Sequence, residues 1–205
     1  MVIENGQTDL PPLAPRPIAE NETRNRFGYF GQVNPYKGID ILLEALRSMT
    51  KEERKQVLVE IHGSNLETQS GDFQIKIKKL AKKLIAEGCL RWVGPYRPDE
   101  QRTRLKEIDW VIVPSIWWEN SPMVIQEAFT AGRPLIVSNI GGMAEKVQDG
   151  VDGLHFSARN PLELANKLKY AVSNKTLWND LHQNIAPPLS YTECAEEHMA
   201  FFETR

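Results

Sequence analysis

The strongest chemical signal in the sequence is a pair of glutamates on either side of a predicted helix start. Glu119 precedes this start and Glu127 lies beyond it, with Ser121 and Pro122 between them. Serine is a favoured N-cap and proline suits the first helical position, so the two predict a helix that begins at Pro122. The unpaired N–H groups and the positive end of the dipole at a helix start can bind an anion such as a diphosphate.

The two carboxylates are expected to bind hydroxyl groups rather than phosphates, which they would repel. Glu127 lies about 9 Å along the helix axis from Ser121, at 1.5 Å per residue. Acidic residues bind the paired hydroxyls of a ribose in dinucleotide folds. We therefore expect Glu127 on a ribose and Glu119 on a sugar beyond the phosphates. The alternative is that Glu127 is only an exposed helix residue, although Ala128 and Phe129 beside it are predicted to be buried.

A second group of candidate residues follows the first predicted strand, in the segment Gly31–Gly38. Gly31 would let the backbone approach a ligand closely, and Gly38 could precede a helix at little steric cost. Lys37 is placed to offer a point charge to a phosphate. The alternative is a tight strand-to-helix turn with a solvated lysine.

The elements that must position these residues follow an alternating pattern of short apolar runs and longer amphipathic segments. The runs are Phe27–Phe30, Val57–Ile61, Leu90–Val93, Trp110–Val113, Pro134–Val137 and Gly153–Phe156. Runs that are apolar nearly throughout indicate parallel strands buried on both faces. The pattern predicts an α/β fold: a Rossmann-like, doubly wound parallel sheet of about six strands flanked by helices. Ligands of such sheets bind at the carboxyl ends of the strands.

The helical segments and the domain limits follow from the same pattern. Helical spacing predicts one apolar face from Ile39, Leu42, Leu43 and Leu46, and another from Ile75, Leu80, Leu84 and Ile85. Extra C-terminal helices follow Asn160, the last near Thr192–Thr204. Residues 1–25 are expected to be a lead-in outside the core, because Leu10–Arg24 holds four prolines and shows no periodicity. Residues 26–205 are expected to form one domain.

Composition excludes several function classes. With 25 basic and 27 acidic residues the net charge is -2, which argues against a nucleic-acid binder. Cys89 and Cys194 lack metal-ligand spacing and are expected to be reduced. Met1–Leu13 shows no secretory pattern, and apolar runs such as Trp110–Val113 are far too short to span a bilayer. A cytoplasmic protein is expected.

The residues quoted above resemble the carboxy-terminal domain of family 4 retaining glycosyltransferases, which have the two-domain GT-B fold. The resemblance rests on two glutamates separated by seven residues and extends over nearly the whole chain. Its further segments are Val2–Gly6, Glu119–Pro122, Gln126–Ala128, Ala131–Pro134, Gly141–Glu145 and Asp149–Leu154.

The resemblance implies that this domain binds a nucleotide-diphosphate sugar as the donor substrate. By position, Lys37 matches the family's diphosphate lysine, Glu119 the acid near the donor sugar, and Glu127 the acid on the ribose. Lys37 and Glu119 are therefore the implied catalytic residues. The implied donor-binding residues are Gly31, Gln32, Gly63, Tyr96, Asn120, Ser121, Pro122, Met123, Val124 and Glu127. The turn Gly94–Tyr96 lies where the base usually packs.

The family also implies retention of the anomeric configuration, no cofactor and no obligatory metal, in keeping with the lack of an Asp-x-Asp motif. A sugar or lipid-linked acceptor would bind mainly to an amino-terminal domain, and one domain of ordinary size cannot supply both halves. The chain is therefore expected to be a shortened form of a longer enzyme, or else a separate subunit, and to be inactive alone.

Two positions depart from the family pattern. Gln32 stands where the family commonly has arginine, and a neutral amide offers only about half the strength of a charge-assisted hydrogen bond. Arg97 is the candidate replacement for that charge. The segment after the second strand has one glycine, Gly63, where the family often has two, which weakens the case for a phosphate contact there.

Other residues have two interpretations each. The basic helix with Lys76, Lys78, Lys79, Lys82 and Lys83 is expected to be a solvated face, with peripheral membrane contact as the alternative. His62 is expected to be structural rather than a base. Trp117 and Trp118 would line the donor-sugar pocket or lie in the core or a domain interface.

Two rival functions remain. A nicotinamide-dependent oxidoreductase predicts Gly-x-Gly-x-x-Gly after the first strand, whereas Gly28–Gly31 lies within that strand, which argues against this function. The other rival is a non-catalytic nucleotide-binding or interaction module of the same fold, which nucleotide titration would test.

Overall fold

The computed structural model describes residues 3–20 and 22–203, and the six predicted strands are all present in it. They are β1 Arg26–Gln32, β2 Leu58–Ser64, β3 Leu90–Trp92, β4 Trp110–Val113, β5 Leu135–Ser138 and β6 Gly153–Phe156. Every neighbouring pair is parallel, in the order β3-β2-β1-β4-β5-β6. This is the order of a Rossmann-like sheet, so the predicted fold class is confirmed.

The strand order reverses between β1 and β4, and the two strands separate there. They pair only at Phe27 with Trp110 and at Gly28 with Val111, whereas β1 pairs with β2 along its whole length, as far as Gln32 with Ser64. The loops that leave β1 and β4 therefore border a crevice at the carboxyl edge of the sheet, where ligands of open α/β sheets bind.

Helices cover both faces of the sheet. Within the described residues they are α1 Ile39–Ser48, α2 Lys51–Arg54, α3 Gly71–Ala86, α4 Pro98–Leu105, α5 Met123–Thr130, α6 Gly141–Lys146, α7 Pro161–Ser173, α8 Leu177–Gln183 and α9 Tyr191–Glu203. Successive strand residues point to opposite faces, so Trp110 and Ile112 join a core with α1, α3, α7 and α8. Val111 and Val113 join a second core with α4, α5 and α6.

The proline-rich lead-in is extended, but it does not lie wholly outside the core as expected. Leu13 is buried in the core beside α5. The fully buried Arg133 donates hydrogen bonds to the carbonyl oxygens of Leu13 (3.2 Å) and Ala14 (3.1 Å). Arg16 donates to the buried carboxylate of Asp109 at 3.0 Å. The expectation was wrong because these long-range polar contacts leave no periodic pattern in the lead-in.

The apolar face of α3 also differs from the expected one. Leu80 and Leu84 are buried as predicted, but Ile75 and Ile85 are 66% and 46% exposed. Ile77 takes the predicted place of Ile75, because it lies three residues before Leu80 on the ridge that faces the sheet.

The expectations for the two cysteines and for the last helix can also be compared with the structure. Cys89 and Cys194 are free thiols. The last helix begins one residue earlier than expected, and Thr204, its expected end, lies outside the described residues. Among residues 3–20 and 22–203 we find no helix with the length and apolar character needed to cross a bilayer.

Candidate functional site

The loop after β1 is held in a fixed turn by its own side chains. Asn34 Oδ1 accepts hydrogen bonds from the backbone N–H groups of Tyr36 (3.0 Å) and Lys37 (3.1 Å), and thereby caps a short 3-10 turn. Gly38 then enters α1 with φ +67°, a left-handed conformation that glycine adopts at low cost. A Cβ at Gly38 would lie 1.8 Å from the carbonyl oxygen of Pro114, so this glycine also lets the two loops meet.

The loop after β4 is fixed from both sides. The Ser115 hydroxyl (3.0 Å) and the Ile116 N–H (2.8 Å) both donate to the carbonyl oxygen of Tyr36, which ties the β4 loop to the β1 loop. On the other side, the Gly142 N–H at the start of α6 donates to the carbonyl oxygen of Glu119 at 2.6 Å. A Cβ at Gly142 would lie 2.5 Å from that oxygen, so only glycine fits there.

These two loops bring Lys37 and Glu119 into contact. The Lys37 Nζ lies 2.6 Å from Glu119 Oε2, and the side chains are 36% and 13% exposed. The other oxygen, Glu119 Oε1, is buried without a hydrogen-bond partner among the described residues. A buried carboxylate oxygen normally accepts at least one hydrogen bond. The pair therefore presents one ammonium and one unsatisfied acceptor at the same point of the crevice.

The start of α5 differs from the prediction by one position. Pro122 is the N-cap and Met123 the first helical residue, so Ser121 is not the N-cap and Pro122 is not the first helical residue. The Ser121 hydroxyl instead donates to Glu4 Oε2 (3.3 Å) and accepts from Asn5 Nδ2 (3.4 Å). The predicted cap failed because the N-terminal segment competes for that hydroxyl.

That segment is part of Val2–Gly6, of which Val2 lies outside the described residues. The amides of Met123 and Val124 remain in the first turn of α5, where N–H groups lack intrahelical acceptors. Asn120 is exposed in the loop before them. The predicted site for an anion at this helix start thus keeps its backbone donors, although not its cap.

Glu127 is not the exposed residue of the alternative interpretation. Its side chain is partly buried, and Gln101 of α4 donates from Nε2 to its Oε2 at 2.6 Å. Burial raises the pKa of Glu127, and the hydrogen bond from Gln101 opposes that rise. Ala128 and Phe129 are buried, as predicted. Gln101 fixes one carboxylate oxygen and leaves the other able to accept.

Tyr96 lies near the end of β1 and close enough to Glu127 to feel its charge. Burial and the nearby Glu127 carboxylate raise the pKa of Tyr96 to about 12, while Arg104 opposes the rise. The Arg104 guanidinium lies 5.5 Å from the ring centroid. With Gly31, Gln32, Ser64 and Pro98, Tyr96 lines a cavity of about 230 Å³. The predicted base-binding turn and the predicted ribose acid are therefore neighbours.

Three predicted residues have a weaker structural case. Gly63 is required for packing, because a Cβ there would lie 2.7 Å from the carbonyl oxygen of Gly31. Gln32 is exposed and accepts a hydrogen bond of 3.4 Å from Asn34 Nδ2. Arg97, the N-cap of α4, is 72% exposed and pairs with Asp99 of that helix at 2.9 Å. Arg97 was the candidate source of the positive charge that is missing at Gln32, but its own charge is already paired with Asp99.

His62 is buried and stacks on Phe30 with ring centroids 4.4 Å apart, which fits the structural role predicted for it. Trp117 and Trp118 are 59% and 69% exposed, so a place in the core is excluded for both. Sequence reasoning missed Gln101 and Ser115 as positioning residues. Neither has a local signal, because their partners lie 26 and 79 positions away in the chain.

A cavity larger than the one beside Tyr96 lies elsewhere in the described structure. It has a volume of about 660 Å³ and lies between the N-terminal segment at Thr8–Pro12, the end of α5 and the segment Ile185–Ser190. None of the residues predicted to bind the donor lines it. We therefore place the candidate site at the β1–β4 crevice, where the polar groups converge, and not at this larger cavity.

Comparison with known proteins agrees with this fold. The lipopolysaccharide 1,2-N-acetylglucosaminetransferase of Salmonella typhimurium is 29% identical over 174 residues, which cover 76% of this chain and 45% of that protein. Anabaena Alr3699/HepE, solved in complex with UDP and glucose, superposes with a TM-score of 0.75 at 22% identity, over 89% of this chain and 49% of that one. The chain thus spans about half the length of these proteins.

A second structure matches over nearly its full length. The C-terminal domain of a group 1 family glycosyl transferase (LpcC) from Francisella tularensis has a TM-score of 0.67 at 18% identity, over 86% of this chain and 87% of that one. The family model of the glycosyl transferases group 1 matches residues 13–186, most of the chain. The chain therefore belongs to the group 1 glycosyl transferase family.

Proposed function

We propose that this domain binds a nucleotide-diphosphate sugar in the β1–β4 crevice, as the donor half of a retaining glycosyltransferase. The observation that carries the proposal is the contact between Lys37 and Glu119 just before the start of α5, the helix that also carries Glu127. A structural neighbour, Anabaena Alr3699/HepE, was solved in complex with UDP-glucose and has a TM-score of 0.74. A sugar or lipid-linked acceptor would bind mainly to a further domain of the whole enzyme.

The donor would lie along the crevice in a defined direction. The base would lie at the turn with Tyr96, and the ribose hydroxyls would donate to the free oxygen of Glu127. The diphosphate would accept hydrogen bonds from the amides of Met123 and Val124, which carry the positive end of the α5 dipole. A hydroxyl of the transferred sugar would donate to the unsatisfied Glu119 Oε1. Each polar group of the site thus has one partner of suitable chemistry.

Lys37 would stabilise the diphosphate as it leaves the sugar. An ammonium has three N–H donors, so Lys37 can bind a phosphate oxygen and keep its bond to Glu119. Positive charge placed where negative charge develops lowers the barrier of the transfer. We propose that this charge and the α5 amides replace a metal ion, so that chelation with EDTA leaves nucleotide binding unchanged. We also propose a cytoplasmic location, in keeping with the free thiols.

Calorimetric titration of the 205-residue chain with UDP, GDP and ADP tests the proposal. At least one nucleotide should bind, and Glu127→Ala should weaken its binding without unfolding the domain. The matched control is Glu52→Ala, because Glu52 is 76% exposed on α2, which precedes β2 and so lies at the amino edge of the sheet, opposite the crevice. Failure of all three nucleotides to bind would refute the donor site and favour a non-catalytic interaction module.

A further inference from the structure

Three aromatic side chains at the outer rim of the crevice are unusually exposed. Tyr36 is 59% exposed, Trp117 is 59% exposed and Trp118 is 69% exposed. The rings of Tyr36 and Trp117 meet edge to face, with centroids 5.4 Å apart and planes at 69°. Aromatic side chains contribute most when they are buried, so an exposed cluster of them indicates a binding surface.

The backbone under this aromatic pair is held rigidly. The Tyr36 N–H donates to Asn34 Oδ1, and its carbonyl oxygen accepts from Ser115 and Ile116. Trp117 follows Ile116 directly, so the same contacts fix both aromatic residues. Rings that are already held in place bind a ligand at a lower entropic cost than mobile rings.

We propose that Tyr36 and Trp117, extended by Trp118, form a platform that binds a pyranose ring of the acceptor saccharide. The inference rests on the proposed donor site. The C–H face of a pyranose carries partial positive charge and fits the negative face of an aromatic ring, while its hydroxyls stay at the polar edge. The neighbours of Tyr36 and Trp118 along the chain are Lys37 and Glu119, whose polar groups suit such an edge.

The exposure of the side chains favours the acceptor over the donor sugar. Lys37 and Glu119 are 36% and 13% exposed, whereas the platform residues are 59–69% exposed. The platform therefore lies further out than the groups assigned to the donor. A membrane surface fits less well, because interfacial aromatic residues act together with basic clusters, and the charges next to this platform form a neutral pair.

Ligand-observed NMR with three simple pyranosides tests the platform in the 205-residue chain saturated with UDP. The probes are the methyl α-glycosides of glucose, mannose and N-acetylglucosamine, because ring stacking should tolerate all three. We expect saturation transfer to their ring protons, and weakening of binding by about three- to tenfold in Tyr36→Ala and in Trp117→Ala. Tyr170→Ala, which removes an exposed aromatic ring on α7, should bind the glycosides like the unchanged chain.

The outcomes separate this inference from the donor site. If UDP binds but no glycoside does, or if the variants bind the glycosides normally, the platform is refuted and the donor site stands. If UDP fails to bind as well, both proposals fall. Association with vesicles of phosphatidylethanolamine and phosphatidylglycerol that is lost in Trp117→Ala, without glycoside binding, would show a membrane contact instead and refute the platform.

Discussion

Replacement of Glu127 by glutamine is the sharpest perturbation of the proposed ribose contact. Glutamine has nearly the same shape as glutamate, and its carbonyl oxygen can still accept the hydrogen bond from Gln101 Nε2, which is 2.6 Å long in the unchanged chain. The variant should therefore fold normally. It loses the negative charge and exchanges the free oxygen for an NH₂ group, which cannot accept a hydrogen bond from a ribose hydroxyl.

The size of the effect follows from this one exchange. A hydrogen bond to a charged group contributes about 1.5–3 kcal/mol, roughly twice a neutral one. Because the amide can still donate to a ribose oxygen, we expect a net loss of about 1–2 kcal/mol, which is roughly a 5- to 30-fold weaker affinity for UDP.

The assay compares UDP with 2′-deoxy-UDP in both proteins by calorimetry. In the unchanged chain the deoxynucleotide should bind more weakly, because the carboxylate loses a donor. In Glu127→Gln the preference for UDP over 2′-deoxy-UDP should become smaller, since the two changes remove the same charge-assisted hydrogen bond and are not additive. If Glu127→Gln weakens UDP and 2′-deoxy-UDP by the same factor, so that the preference for UDP is unchanged, then Glu127 does not bind the ribose.

Four further predictions follow. Burial raises the pKa of Glu127 above its ordinary 4.5, so the folded chain loses stability as this carboxyl ionises with rising pH. At pH 7, Glu127→Gln should therefore unfold at a higher denaturant concentration than the unchanged chain. The difference should vanish in acid, where Glu127 is protonated. Lys37→Gln should weaken the binding of UDP about tenfold or more and leave the binding of uridine, which has no phosphate, unchanged in calorimetry. Gly38→Ala should lower the free energy of unfolding in urea by about 3 kcal/mol or more. Gly88→Ala should lower it by only about 1 kcal/mol, because Gly88 has a similar φ of +77° but open space around an added Cβ. Asp109→Asn should lower the free energy of unfolding by about 3–5 kcal/mol, because the buried Arg16 and the partly buried Arg24 lose their carboxylate partner.

These predictions have clear contrary results. Equal urea midpoints for Gly38→Ala and Gly88→Ala would contradict the contact with Pro114. Equal weakening of UDP and uridine binding in Lys37→Gln would show that Lys37 does not bind the diphosphate. A pH-independent stability difference for Glu127→Gln would show that the carboxylate is not destabilised by burial.

The strand pattern could be predicted from the sequence because it depends on local composition. Trp110–Val113 is apolar throughout and forms β4 with the predicted bounds. The crevice followed from the same pattern, since strand order and the carboxyl edge are general properties of doubly wound sheets. Lys37 and Glu119 could therefore be placed near each other, although not at 2.6 Å.

Long-range side-chain contacts could not be predicted from one sequence. Ser121 has the residue type of an N-cap, but Glu4 and Asn5 bind its hydroxyl from the other end of the chain. The error at Ile75 is of a different kind: Ile75 lies five residues before Leu80, outside the helical spacing of three or four that Ile77 satisfies, so the buried face of α3 could have been predicted. Gln101 gave no signal at all, because its role depends on where α4 meets α5.

Backbone amide NMR of the ¹⁵N-labelled chain titrated with UDP-glucose is the most direct test of the proposed donor site. We predict that the largest shift changes fall on Gly31, Met123 and Val124, with further changes at Tyr96 and Glu127. Changes centred instead on the 660 Å³ cavity near Thr130 and His182, with the α5 start unaffected, would contradict it.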